Sequence, residues 1–163
     1  RVLKSPAAVA GVGAVDPVSN LLFLSGRGSL LVYDRTASGT AAPLRTLGGG
    51  PVSGVRGASR IVVHPPSHTV VLTTSGFGAG GGREDGDPEP TAYVAVFDQD
   101  DSGDVAPLWT VAKGHLYMPR GLTIDPKRKT VIVSDKFKNS VMTFSLPEMF
   151  DRSRARQTAR ASR

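Results

Sequence analysis

The chain contains no cysteine. Disulfide staples, cysteine-ligated zinc, iron–sulfur clusters and cysteine nucleophiles are therefore all excluded. The compartment stays open on this ground, because exported proteins can also lack cysteine. Aromatics are sparse at 6%. No run approaches the roughly 20 consecutive apolar residues that a membrane-crossing helix needs. Neither G-x-S-x-G nor H-E-x-x-H occurs, so serine and zinc hydrolysis lack a candidate motif. The chain begins at Arg1 without Met and without a signal-peptide pattern, which is the expectation for a processed or partial product.

What is present in quantity is turn chemistry. Nineteen Gly and 12 Pro punctuate short Val- and Leu-rich runs across 163 residues, the composition of many short strands joined by tight turns. The net charge of +6 is uneven. Residues 151–163 carry five Arg and one Asp, leaving +2 for everything before them. That tail has the composition of a disordered basic extension, and the nearly neutral body sets nucleic acid aside as the partner.

The sequence repeats itself. Tyr33-Asp34, Ser38-Gly39, Ala42-Pro43-Leu44 and Thr46 align without gaps against Phe97-Asp98, Ser102-Gly103, Ala106-Pro107-Leu108 and Thr110. A second register places a β-rich stretch before Asp16-Pro17, His64-Pro65 and Asp125-Pro126. Strands follow at 21–25, 69–74 and 130–134, then at 30–33, 93–97 and 140–144, with fourth strands at 44–47 and 108–111. The innermost strands read as 12–15, 60–63 and 122–124. A unit of four strands in about 40 to 50 residues is the periodicity of β-propeller blades. The expected fold is all-β, with units at 5–47, 51–111 and 115–146. Residues 1–4 would be a strand of a preceding blade, and the ring is incomplete, half of a six-bladed propeller.

The copy over Asp125–Val141 resembles the NHL and YVTN-type repeats of bacterial propellers, and the whole of 1–150 resembles lactonase-like six-bladed propellers. The resemblance implies a propeller and a bacterial, periplasmic or extracellular setting. In the lactonase-like branch it further implies a metal held in the central channel by carboxylate and Asn side chains. The inner strands here offer mainly apolar or small residues, so that ligand set would have to come from other blades.

Three local motifs are weighed and set aside. Gly76, Gly78 and Gly81 spell G-x-G-x-x-G, but acidic residues and prolines follow where a phosphate-binding helix should start. Asp98, Asp100 and Asp101 begin like a calcium loop, yet Trp109 stands where the twelfth-position Glu should be. Ca²⁺ near these three acids is the only cofactor entertained. His64 and His68 have the spacing of two helical metal ligands, but Pro65 and Pro66 lie between them.

Antiparallel order puts the loops after second and fourth strands on one face. That face collects Arg27, Arg56, Lys113, His115, Tyr117, Arg120, Lys136, Phe137, Lys138 and Asn139, and the other face collects the aspartates. The functional expectation is a non-catalytic interaction or scaffold module, an accessory subunit of a larger cell-envelope assembly, capturing an acidic protein partner through the cationic face. Self-association as three plus three blades, or union with the rest of a propeller, accompanies it. The alternative is part of a metal-dependent sugar- or lactone-acting propeller enzyme whose ligands lie on missing blades.

Overall fold

The Val- and Leu-rich runs pair into sheets because each is too short to bury its apolar residues alone. The computed structural model describes residues 2–5, 7–55, 57–74 and 91–152. Eleven strands form three antiparallel sheets. The first contains β1 (Ala8–Asp16), β2 (Leu21–Gly26), β3 (Ser29–Asp34) and β4 (Arg45–Gly48), in that order. The second repeats it with β5 (Ala58–His64), β6 (Thr69–Thr74), β7 (Ala92–Asp98) and β8 (Trp109–Leu116). The third holds β9 (Pro119–Asp125), β10 (Thr130–Asp135) and β11 (Ser140–Ser145), and no fourth strand pairs with it among the described residues.

The sheets stack face to face. The inner strands β1, β5 and β9 lie side by side, as in the blades of a propeller. One core fills the space between the first and second sheets, with Phe23, Leu30, Val32 and Leu47 meeting Val70, Leu72, Ala95 and Phe97. A second core, between the second and third sheets, holds Val71, Val94 and Val96 against Val131 and Val133. The middle sheet is covered on both sides, which is why all six residues of Thr69–Thr74 are buried and the run shows no alternation. In the third sheet burial alternates along β10, because only one face is covered.

The Ser-Gly repeat turns out to be a fastener between blades. Gly103 adopts a positive φ of 72°, and its backbone bonds across to the outer strand of the first sheet. Its N–H donates to the Thr46 carbonyl at 2.8 Å and its carbonyl accepts from the Gly48 N–H at 2.8 Å. Gly39, with φ 64°, makes the same pair of bonds with Lys4 and Val2. Asp104 continues the fastening by accepting from the Val52 and Ser53 N–H groups. The expectation that Asp104 belongs with the aspartates of the opposite face is thus corrected: it runs up the outer rim to the loop before β5.

After β11 the chain turns back as a short helix over 147–152. Met149 and Phe150 enter the second core, Lys129 pairs with Asp151 at 2.6 Å, and Arg152 pairs with Asp98 at 2.5 Å. The glycine-rich 75–90 segment, Arg56 and the tail beyond Arg152 lie outside the described residues.

Candidate functional site

Two backbone irregularities shape the face that collects the cations. In β8, Ala112 has φ 62° and Gly114 has φ 79°, and the register with β7 shifts between Ala92 and Val94. This bulge lets β8 run on to Leu116, so Lys113 and His115 are exposed residues of a strand and not of a loop. Local composition suggested a loop there; the pairing of Ala92 with Leu116 supplies the strand.

The second irregularity falls between β9 and β10. Ser134 opposes Gly121 but Asp135 opposes Pro119, leaving Arg120 as the extra residue of a bulge. Arg120 then lines an open cleft of about 410 Å³ together with Ser134, Asp135, Lys136, Asn139, Ser140 and Val141. That volume lies inside the range of small-molecule sites, about 300–1,000 Å³.

Asp135 organises the rim of this cleft. The residue is 2% exposed. One oxygen accepts from the Tyr117 and Met118 N–H groups at 2.7 and 3.0 Å, and the other from Phe137 and Lys138 at 2.9 and 3.1 Å. The Lys136 N–H returns a bond to the Met118 carbonyl at 2.9 Å. Burial pushes the Asp135 carboxyl upward, but the four backbone donors prevail and hold it below the usual range. An anion engaged in this way is a clamp between two loops and not a proton acceptor for substrate.

The clamp also joins the two loops that carry a pair of aromatic rings. Tyr117 and Phe137 stack with centroids 5.1 Å apart, and the Lys138 ammonium sits 5.2 Å above the Tyr117 ring. Lys113 lies 5.8 Å from the Tyr93 ring. The structure brings Arg120, Lys136 and Asn139 to the cleft, while Tyr117, Phe137 and Lys138 cluster with one another on the loops that Asp135 joins. Arg27 is exposed on the turn between β2 and β3 of the first sheet. Asp135, Ser134, Ser140 and Val141 belong to the site and were missed by charge sorting, which looks for cations and overlooks the buried acid that positions them. The signal was an Asp opening the loop into Lys136-Phe137-Lys138-Asn139, where a carboxylate caps the next amides.

The opposite face is a network of ion pairs. His68 Nε2 lies 3.0 Å from Asp100 and 3.9 Å from Asp98, a grouping with metal-ligand spacing. Arg152 pairs with Asp98 and Arg45 reaches Asp100 at 3.7 Å. Asp98 also caps the Asp100 N–H, and Asp101 accepts from the Asp98 N–H, so these carboxylates serve their own turn. His64 is turned elsewhere: its Nδ1 meets the Ser67 hydroxyl at 2.6 Å and its ring packs edge-on to Phe150, with burial lowering its basicity. The two histidines do not converge on one point.

No protein-family model matches the chain, and no curated protein matches it. Solved structures do. A candidate 6-phosphogluconolactonase from Bacteroides fragilis superposes with a TM-score of 0.56 at 15% identity, covering 82% of this chain and 33% of that one. A second, from Bacteroides uniformis, gives a TM-score of 0.56 at 14% identity, covering 82% of this chain and 35% of that one. The fold is that of these propeller-like lactonases. This chain spans about a third of their length. The non-catalytic scaffold expected from the sequence is corrected by this finding, since both neighbours carry the name of candidate lactonases.

Proposed function

We propose that this chain supplies part of a lactone-acting propeller enzyme, and that the cleft at Arg120 receives an anionic sugar lactone. The carrying observation is the cleft itself, where two cations, Arg120 and Lys136, stand with the Ser134 and Ser140 hydroxyls and the Asn139 amide. A phosphorylated or carboxylated sugar needs this set: fixed positive charge for the anion and small donor–acceptor groups for ring hydroxyls. The neighbours named as 6-phosphogluconolactonases suggest the phosphate.

Lactone opening adds water to an ester carbonyl, and charge builds on the carbonyl oxygen as the ring C–O bond prepares to break. Arg120 and Lys136 are suited to hold the anionic end of the substrate or that developing charge. Asp135 keeps both loops in place for them. The metal implied by the lactonase-like resemblance does not fit the residues at this cleft. The grouping with ligand spacing, His68 with Asp98 and Asp100, is on the opposite face and is engaged with Arg45 and Arg152. The likeness of residues 125–141 to NHL and YVTN-type repeats supports a common origin for the blade sequence.

The test uses the stable product. 6-Phosphogluconate is expected to bind at least tenfold more tightly than gluconate by titration calorimetry. Arg120→Ala and Lys136→Ala should each weaken it about tenfold, about 1.4 kcal/mol. Equal affinity for the two acids, or affinity untouched by both variants, would overturn the reading.

A further inference from the structure

Arg120 enters its cleft from a bulge, and the second blade holds that bulge in place. In β9 the pairing with β10 steps from Gly121–Ser134 to Pro119–Asp135, which leaves Arg120 unopposed. β5 has the same irregularity at the same place. Its pairing with β6 steps from Arg60–Thr73 to Ala58–Thr74, leaving Ser59 as the extra residue. Ser59 stands five residues before His64, and Arg120 five before Asp125, the residues that precede Pro65 and Pro126 in the repeat. The two bulges are therefore equivalent, and the inner strands that carry them lie side by side.

Ser59 bonds from its own bulge to the next. Its Oγ donates to the Pro119 carbonyl at 3.2 Å and lies 2.7 Å from the Thr73 Oγ1. With the Ser59 proton on that carbonyl, the hydroxyl of the buried Thr73 is the donor of the second bond, so Thr73 fixes which way Ser59 points. A tie of the same kind occurs one interface earlier. Ser25 of β2 donates to the Ala58 carbonyl at 3.1 Å and accepts from the Ala58 N–H at 3.2 Å. Ala58 is the counterpart of Pro119 in the repeat. Proline has no N–H, so at the second interface only the carbonyl half of the tie remains, and Ser59 takes it. On the other side of Arg120, Gly121 is backed so closely that a Cβ there would lie 2.5 Å from the Ser134 Oγ. Arg120 is framed from both sides.

We propose that Ser59 is a positioning residue for Arg120, its hydroxyl holding the Pro119 carbonyl so that the guanidinium meets the anionic end of the substrate from a fixed backbone. Ser59 is not one of the residues that line the cleft, so it acts through Arg120 and not on the ligand. The gain is pre-organisation: a cation whose backbone is already fixed loses less freedom when it binds. The ligand is that of the lactone reading, on which this proposal rests, but the framing of Arg120 is measurable without any ligand.

Ser59→Ala should weaken 6-phosphogluconate binding about threefold or more, the scale of one neutral hydrogen bond, and Thr73→Val should act in the same direction. Added to Arg120→Ala, Ser59→Ala should weaken binding no further, because the two changes remove one effect. In the free protein, 15N relaxation should show the Arg120 amide order parameter falling from about 0.85, the value of rigid backbone, toward about 0.6 in Ser59→Ala, while Thr123 of the same strand stays rigid. An Arg120 amide as rigid in Ser59→Ala as in the native chain would overturn the proposal. So would a Ser59→Ala loss that persists undiminished beside Arg120→Ala, because Ser59 would then act on the fold at large. Affinity untouched by Arg120→Ala would sink the lactone reading instead, and the order parameter would still decide whether Ser59 frames Arg120.

Discussion

Replacing Asp135 by Ala should lower the unfolding free energy by about 3 kcal/mol, on the reasoning that a charge-assisted hydrogen bond nets about 1.5–3 kcal/mol and that loop amides regain water when the carboxylate goes. Four N–H groups lose their acceptor at once, from Tyr117, Met118, Phe137 and Lys138. For a domain of this size the shift in Tm is roughly 6–12 °C. Asp135→Asn keeps the shape and one acceptor oxygen and should lose about half as much. Urea unfolding followed by Trp109 fluorescence measures both. A loss below about 1 kcal/mol for the Ala variant would mean that the loops are held without the clamp.

The same carboxylate sets a direction with pH. Its folded-state pKa lies below the ordinary value. The stability it contributes is therefore fully present above the unfolded-state value, near pH 4, and is lost as pH falls through the folded-state value. Asp16, lowered against burial by the Gln99 side chain and by its backbone donors, and Asp104, lowered chiefly by the Ser53 N–H, act in the same sense, while Asp101, raised chiefly by burial, opposes them. Asp135→Asn should flatten the acid limb of the stability profile. At neutral pH the Tyr117–Phe137 stack and the Arg120 cleft should loosen together in that variant, because the clamp joins the loops that carry them.

The blades were legible because the apolar runs are short and bounded by Asp-Pro, Ser-Gly and Ala-Pro-Leu, each with a local physical cause. The strands at 69–74 and 130–134 appear where they were expected, with β10 one residue longer. What each turn does for its neighbours was not legible, since Gly103 bonds to Thr46 from a different repeat and nothing local to either residue announces the other. The same limit hid the extension of β8. Lys113-Gly114-His115 looks like a loop until Leu116 finds Ala92 across a bulge. Charge sorting found the cations of the cleft and missed Asp135, whose importance comes from burial and from amides contributed by two separate loops. His64 shared the register of Asp16 and Asp125 but not their role, because Pro65–Ser67 forms a 3-10 turn beneath it.

Gly103→Val should cost about 2 kcal/mol, the upper end of the penalty for placing a side chain with a Cβ in the left-handed region, and a β-branched one is the least tolerant. The cause is backbone conformation alone. A Cβ at Gly103 would meet nothing within 4 Å, so crowding adds nothing. Gly103→Asn separates the two explanations, since Asn enters the left-handed region readily and should cost well under half as much. The readout is local as well as global. The Gly48 N–H donates to the Gly103 carbonyl, so its hydrogen-exchange protection should fall in Gly103→Val and persist in Gly103→Asn. Gly39→Val perturbs an equivalent turn whose partner is only residues 2–4, and in an isolated chain it should cost less. Equal costs for the two glycines would show that the strain of the turn, and not its tie to the neighbouring blade, sets the loss.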